Sequence, residues 1–271
     1  MIDFPNGKIN IGLSVREKRP DGFHNLETIM YPVKIHDVLE IIISPGKLFS
    51  FTSSGIKLAG EIKDNLVCKA YELMKKDFNL PSVKIHLHKA IPYGAGLGGG
   101  SADAAFAIRM INKLFDLGLT LDKMKDYAKR LGSDCAFFIE NKAVLATGRG
   151  DQFEETELNL DNQFLVIVKP DIHIITPKAY SWIKPTKKQK TLKELIKSPM
   201  SKWRNLVIND FEAEVMKRYS EIKIIKDGLY QMGAIYASLT GSGSALYGIF
   251  DGPVRIGNEF QNHFVWTSFK S

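Results

Sequence analysis

Alternating polar and apolar residues mark three short segments in the first third of the chain. These segments are residues 39–44, 48–52 and 83–88, and each alternates as a strand with one solvated face does. Because half-buried strands are typical of antiparallel sheets, we expect antiparallel pairing here. Near the C-terminus, residues 237–239 and 245–250 indicate two further strands that are joined by a glycine-containing turn.

Apolar residues at helical spacing predict helices over 65–78, 102–115 and 121–131. The first helix should begin at Asp64 or Asn65, and Gly132 should end the third. Past residue 150 the pattern gives a strand at 164–168, then helices near Leu192 and over 211–219. This mixture predicts an α+β fold of two layers and two lobes, with the boundary near residue 155. The expected domains are therefore 1–155 and 156–271.

The composition is that of a chain with a buried core. Of the 271 residues, 44% are hydrophobic and 25% are charged, which excludes global disorder and a collagen-like chain. Apolar runs are far shorter than the ~20 residues of a membrane-spanning helix. The first residues lack the pattern of a secretory signal, so we expect a cytoplasmic protein. Cys68 and Cys135 are then expected to be reduced, buried thiols.

A net charge of +7 favours anionic partners, and much of it is concentrated in one basic stretch, residues 184–204, whose only acid is Glu194. A solvated loop and helix face is the favoured interpretation, because no aromatic platform accompanies the bases. A nucleic-acid-binding protein remains an alternative. It predicts salt-dependent binding that weakens when Lys187, Lys188 and Lys190 are neutralised.

A glycine-rich loop is the strongest local signal, and it lies between a predicted strand and a predicted helix. Glycines let backbone N–H groups wrap around oxygen atoms, and the first turn of a helix presents free donors and a positive dipole end. The loop is therefore a candidate phosphate cradle. Its residues are Pro92, Tyr93, Gly94, Ala95, Gly96, Leu97, Gly98, Gly99, Gly100, Ser101 and Ala102.

The residues before and after this loop in the sequence narrow the choice of its ligand. Gly94, Gly96 and Gly99 satisfy the dinucleotide spacing, but the preceding strand alternates instead of being continuously apolar. No Gly-Lys-Ser/Thr follows, which excludes a Walker loop. A nucleoside triphosphate held by another glycine-loop architecture is favoured, and a nicotinamide oxidoreductase is the weaker alternative.

Three segments together resemble the GHMP kinase superfamily: residues 8–13, 92–105 and 239–247. Further segments are similar to its diphosphocytidyl-methylerythritol kinase branch: 19–24, 64–67, 131–138 and 209–212. The Asp-Gly-aromatic-His element at 21–24 is the specific one, since galactose, homoserine and mevalonate kinases lack it. The family usually has tyrosine where this chain has Phe23, and alanine is common where it has Gly7.

The resemblance implies a two-lobed GHMP kinase fold, with an N-terminal lobe like ribosomal protein S5, a ferredoxin-like C-terminal lobe and an active site between them. It implies ATP-dependent phosphorylation of the 2-hydroxyl of 4-diphosphocytidyl-2-C-methyl-D-erythritol, with Mg²⁺, in the non-mevalonate isoprenoid pathway. The expected partner is a small molecule carrying cytidine diphosphate, with no nucleic acid or membrane. We expect a monomer or weak homodimer and leave the metal ligands open.

The resemblance also assigns residues to roles. Lys8 and Asp134 occupy the places of the catalytic pair, in which Asp134 accepts or orients the hydroxyl proton and Lys8 stabilises charge. The expected substrate-binding residues are Asn10, Phe23, His24, Arg149, Thr176, Tyr180, Gly241 and Ser242.

Without the resemblance, several of these residues have plainer interpretations. Asp134 is typical of a helix N-cap, and Lys8 of a surface lysine. Ser101 either caps its helix or contacts Mg²⁺ or a β-phosphate. His86 and His88 share a strand face but lack a third metal ligand at recognisable spacing. Another GHMP small-molecule kinase also remains an alternative, and it would tolerate substitution of Phe23 and His24.

Overall fold

The chain folds into twelve strands and nine α-helices within the residues that a computed structural model describes, which are 1–46, 48–58, 60–186 and 188–268. The strands are β1 (Ile2–Asp3), β2 (Asn6–Lys18), β3 (His24–His36), β4 (Val38–Ile43), β5 (Ser50–Gly55), β6 (Val83–Lys89), β7 (Val144–Thr147), β8 (Gln152–Glu155), β9 (Phe164–Lys169), β10 (Tyr236–Leu239), β11 (Leu246–Phe250) and β12 (Phe264–Thr267). The helices are α1 (Leu66–Phe78), α2 (Gly99–Leu114), α3 (Leu121–Leu131), α4 (Phe137–Glu140), α5 (Thr176–Trp182), α6 (Leu192–Leu195), α7 (Trp203–Leu206), α8 (Glu212–Arg218) and α9 (Ser220–Gln231).

The chain divides into two units, each built from separate stretches of sequence. Unit 1 comprises Met1–Lys8, Pro32–Tyr93 and Gly98–Lys142, and unit 2 comprises Ile9–Tyr31, Gly94–Leu97 and Ala143–Ser271. This mixture of helix and sheet confirms the α+β class. The boundary near residue 155 stays a prediction. None of the helices in the described part of the chain is long and apolar enough to cross a membrane.

The sheet of unit 1 has the strand order β1-β4-β6-β5. The β1–β4 and β4–β6 pairs are antiparallel as expected, but β5 lies parallel to β6, so that part of the prediction is wrong. The reason is the connection: α1 separates β5 from β6, and a helical crossover returns the chain in the same direction. Alternate residues of β6 are buried, including Val83, Ile85 and Leu87.

Helix boundaries in unit 1 follow the predicted signals closely. The side chain of Asn65 caps α1 by accepting a hydrogen bond from the N–H of Val67, which decides between the two expected start residues. Gly132 ends α3 as predicted. Cys68 and Cys135 are free and buried, as expected. Burial raises the pKa of the Cys68 thiol to about 11 and that of Cys135 to about 12, so both stay protonated near neutral pH.

Unit 2 is centred on an antiparallel sheet with the order β10-β11-β9-β12. The predicted strands at 237–239 and 245–250 correspond to β10 and β11, which pair through the expected turn. Val166 and Val168 of β9 and Ile222, Ile225 and Leu229 of α9 pack into one apolar core. Helix α9 follows α8 directly. The sequence prediction did not include it, because the last predicted helix ended at residue 219.

Candidate active site

The glycine-rich loop leads from β6 into α2, as its sequence predicts. Gly98, with φ of 71°, is the N-cap of α2, and the helix begins at Gly99. Ser101 is therefore the third residue of the helix and does not cap it, which removes one of its two interpretations. Its hydroxyl lies close to the Cys135 thiol. The N–H groups of the first turn have no partner within the helix, and a helix end of this kind is suited to binding an anion.

The middle of the loop belongs to unit 2, where it is joined to the turn between β10 and β11. The hydroxyl of Thr240 donates to the carbonyl of Gly96 at 3.0 Å, and the N–H of Ala245 donates to the carbonyl of Ala95 at 3.1 Å. Gly96 has a φ of 75°, and a Cβ there would lie 2.9 Å from the carbonyl carbon of Thr240. This close approach of two backbones requires glycine.

Lys8 and Asp134 form an ion pair in unit 1, with Nζ and Oδ2 3.4 Å apart. The side chain of Lys8 is only 4% exposed, so the interpretation of a surface lysine is wrong, whereas that of Asp134 is 35% exposed. The N-cap interpretation of Asp134 is also wrong, because α4 begins later, with Ala136 as its N-cap. A Cβ on Gly98 would lie 3.2 Å from the Cε of Lys8. The pair therefore lies beside the N-terminus of α2.

Asn10 is buried in unit 2 and holds a polar network together. Its amide nitrogen donates to the Thr28 hydroxyl at 3.1 Å, and its backbone N–H donates to the Thr240 hydroxyl at 3.1 Å. The phenol of Tyr247 donates to its carbonyl at 3.0 Å. The backbone of Asn10 thus holds the turn residue Thr240, which in turn contacts the glycine-rich loop.

Aromatic rings meet in unit 2 where the resemblance expects a base to bind. The rings of His24 and Tyr180 are stacked, with centroids 4.9 Å apart and planes at 17°. Phe211 packs edge-on against Tyr180, with centroids 5.0 Å apart. Burial, and then the charge of Lys18, lowers the pKa of His24, so its imidazole is neutral at pH 7.

A tight turn presents Phe23, the residue that precedes His24. The N–H of Arg19 donates to the carbonyl of Phe23 at 2.8 Å, and the N–H of Phe23 donates to Asp21 at 3.1 Å. The Phe23 ring is 49% exposed, and the guanidinium of Arg149 lies 3.6 Å above its centroid. Within the described residues, Nε of Arg149 is buried and has no hydrogen-bond partner. Phe23 and Arg149 thus form a cation–π pair with unused donor capacity.

The remaining expected substrate residues lie on α5 and in the turn after β10. The hydroxyls of Thr176 and Ser242 are 3.1 Å apart, and Gly241 has a φ of 57°. Asn209 belongs to the motif at 209–212, and the sequence analysis assigned it no role. It holds this turn, because its amide nitrogen donates to the carbonyls of Leu239 and Gly241, each at 2.8 Å. A side chain that bridges such distant segments leaves no local signal in the sequence.

Part of the basic stretch is neutralised within unit 2. Lys188 pairs with Asp210 at 2.5 Å, and Lys193 pairs with Glu154. Lys187 lies outside the described residues. These ion pairs agree with a solvated, structural role for the basic stretch. That the chain does not bind nucleic acid stays a prediction.

His86 and His88 lie on the solvated face of β6, where both bond to the hydroxyl of Ser54 at 2.9 Å. No cluster of three or more metal-ligating side chains occurs in the described parts of the chain. The geometry therefore does not support a metal site at this histidine pair.

The chain matches two family models, "GHMP kinases N terminal domain" over residues 65–142 and "GHMP kinases C terminal" over residues 188–265. A relative from Bacteroides fragilis, named 4-diphosphocytidyl-2-C-methyl-D-erythritol kinase, is 50% identical over 94% of each chain. A relative of the same name from Parabacteroides distasonis is 46% identical over 98% of each chain. This chain belongs to that family of GHMP kinases.

Solved structures agree with this family. The crystal structure of a 4-(cytidine 5'-diphospho)-2C-methyl-D-erythritol kinase matches with a TM-score of 0.81 and 26% identity, covering 98% of each chain. The mevalonate kinase of Methanococcus jannaschii matches with a TM-score of 0.71, covering 98% of this chain and 97% of its own, but at 13% identity that likeness shows the fold alone. The GHMP kinase fold expected from the sequence is confirmed.

Proposed function

We propose that the chain transfers the γ-phosphoryl group of ATP to the 2-hydroxyl of 4-diphosphocytidyl-2-C-methyl-D-erythritol. Two facts support this proposal: the names of its relatives, and a site that contains the parts such a reaction needs. The observation that carries it is the Lys8–Asp134 ion pair beside the N-terminus of α2. A carboxylate and an ammonium next to a phosphate-binding helix end are the groups that phosphoryl transfer to an alcohol requires.

In this mechanism the hydroxyl oxygen of the acceptor attacks the γ-phosphorus, the bond to the bridging oxygen of ADP breaks, and the hydroxyl proton passes to Asp134. Asp134 is the partly exposed partner of the pair and can therefore meet a substrate, whereas Lys8 is buried. Lys8 keeps Asp134 oriented and supplies positive charge close to the phosphoryl group in flight. The helix end supplies further N–H donors for the phosphates.

The aromatic cluster of unit 2 supplies a binding surface for the cytidine part of the acceptor. Tyr180 and Phe23 offer faces for stacking, and neutral His24 offers one donor and one acceptor for the base edge. Arg149 has a buried Nε without a partner among the described residues, which suits an acceptor that carries two phosphates. The loss of a hydroxyl at Phe23 leaves its stacking face intact.

Mg²⁺ fits the donor set of unit 1. The partly exposed carboxylate of Asp134 and the hydroxyl of Ser101 are hard oxygen donors of the kind that Mg²⁺ prefers, and these two side chains would hold it. When bound, the ion would neutralise charge on the phosphates. We therefore propose MgATP as the donor, held by the glycine-rich loop.

The test is release of ADP by the purified protein with ATP and Mg²⁺. The acceptors compared are 4-diphosphocytidyl-2-C-methyl-D-erythritol, mevalonate, homoserine, galactose and none. Release only with the cytidylated acceptor is the expected result, because only that substrate uses the aromatic cluster. Release with another acceptor would assign a different GHMP kinase activity and remove the role of Phe23 and His24.

A further inference from the structure

An exposed histidine that the reaction above does not use lies against the start of the glycine-rich loop. This residue, His173, lies between β9 and α5. A Cβ on Gly94 would lie 2.5 Å from Nδ1 of His173 and 2.8 Å from its Cε1, so one edge of the imidazole packs against the backbone of that glycine. Both residues belong to unit 2, so their contact can be judged within that unit alone.

The backbone that carries His173 is anchored on either side of it. The carbonyl of Ile172 accepts a hydrogen bond from the hydroxyl of Ser244, in the turn after β10. The side chain of Ile174 is 3% exposed and belongs to the apolar core of unit 2, and its Cδ1 would lie 3.1 Å from a Cβ on Gly243. The exposed ring of His173 is therefore presented to the loop from a fixed backbone, which lowers the conformational entropy that a ligand contact would cost.

The ring nitrogens of His173 are available to a ligand. Among the residues that the structure describes, neither nitrogen has a hydrogen-bond partner. By contrast, His86 and His88 are both held by the hydroxyl of Ser54. An imidazole carries at least one N–H donor in either of its tautomers. His173 therefore places an unused N–H donor beside a loop whose sequence is that of a phosphate cradle.

We propose that His173 is a further phosphate-binding residue, whose ring N–H donates to a phosphate oxygen of a bound reactant. This inference rests on the proposed function, because it assumes that the loop binds phosphate. Both reactants carry phosphate. Contact with Gly94 favours the nucleotide, whereas Thr176, which ends the same segment and bonds to Ser242, favours the diphosphate of the acceptor. In either case the contact is a charge-assisted hydrogen bond from the imidazole to a phosphate oxygen.

The experiment measures the affinities of MgADP, CDP, adenosine and cytidine by titration calorimetry for the wild type and for His173→Leu. Leucine keeps a side chain of comparable bulk against Gly94 but removes the donor. The variant should bind MgADP or CDP about tenfold more weakly, because a hydrogen bond to a charged group is lost, and should bind both nucleosides within about twofold of the wild type. A loss confined to MgADP assigns the contact to the nucleotide, one confined to CDP assigns it to the acceptor, and a loss for both assigns it to both.

Two conservative variants test the donor itself. The amides of His173→Asn and His173→Gln place an N–H group near the positions of Nδ1 and Nε2, so at least one of them should bind within about threefold of the wild type. If neither amide variant binds more tightly than His173→Leu, the donor role is overturned. His36→Leu is the matched control, because it makes the same substitution at an exposed histidine of β3 in unit 1, and it should bind like the wild type.

The outcomes separate this inference from the function on which it rests. A wild type that binds neither MgADP nor CDP would overturn both. A wild type that binds them, together with a His173→Leu variant of equal affinity for both, would overturn the inference and leave the kinase activity standing. Equal losses for the phosphorylated ligands and the nucleosides would mean a change in the shape of the site, and they would also overturn the phosphate-binding role.

Discussion

Replacing Gly96 by alanine tests whether the glycine-rich loop depends on its close approach to the turn between β10 and β11. Gly96 has a φ of 75°, and an added Cβ would lie 2.9 Å from the carbonyl carbon of Thr240 and closer still to its oxygen. Both contacts involve backbone, which cannot rotate away as a side chain can. The substitution must therefore move one segment or the other and break the Thr240–Gly96 hydrogen bond.

The size of this effect can be added up from its parts. A non-glycine residue in the left-handed region costs about 1 kcal/mol or more. Overpacking that shifts a backbone costs about 1–3 kcal/mol. We expect Gly96→Ala to lower the free energy of unfolding by about 2–4 kcal/mol in urea titration, and to weaken MgADP in the same preparation.

Gly100 offers a matched control in the same loop. It lies in the first turn of α2, and a Cβ there would meet no atom within 4 Å. Gly100→Ala should leave the free energy of unfolding unchanged or raise it by up to about 1 kcal/mol, because alanine is the better helix former. Equal unfolding free energies for Gly96→Ala and the wild type would refute the argument from backbone contact.

Three further predictions concern the reacting groups. Asp134→Asn should lower kcat by at least about 100-fold with little change in ATP affinity, because proton transfer contributes only in the transition state. A parallel loss of ATP binding, measured by calorimetry, would contradict this role. Tyr180→Leu should raise the KM of the cytidylated acceptor about tenfold by removing a stacking face, while Tyr180→Phe should not; steady-state kinetics showing equal KM values would exclude the pocket. Burial and Lys18 lower the pKa of His24, so its neutral form is favoured above pH 6.5 and is lost as the pH falls. The acceptor KM should therefore rise in acid for the wild type, and His24→Gln, which cannot titrate, should show no such rise.

The local pattern of polar and apolar residues was sufficient to predict the elements that are buried on one side. The alternation of β6 and the cap of α1 are properties of a few neighbouring residues, and the prediction found both. The long strands β2 and β3 were absent from the prediction. In β2, ten consecutive residues are buried, and they include Asn6, Lys8 and Asn10, so neither alternation nor a continuous apolar run marks the strand.

The site depends on contacts that sequence spacing cannot give. Lys8 is typical of a surface lysine until its partner Asp134, far along the chain, is known to lie beside it. His24 and Tyr180 are also far apart in sequence and meet only in the folded unit. The resemblance named these residues because it compares whole chains, which carry long-range contacts implicitly, whereas periodicity and composition describe neighbours only.

The motif at residues 209–212 shows why a short resemblance was informative about the pocket as well as the fold. Asn209 holds the carbonyl of Gly241 in the turn that contacts the glycine-rich loop, and two residues later Phe211 packs edge-on against Tyr180. The N–H of Phe211 donates to the side chain of Asn209, so the two roles share one local geometry. One backbone segment therefore sets both the turn between β10 and β11 and the position of Tyr180, the ring that stacks on His24. A substitution that breaks the hydrogen bond between Phe211 and Asn209 should therefore disturb both contacts.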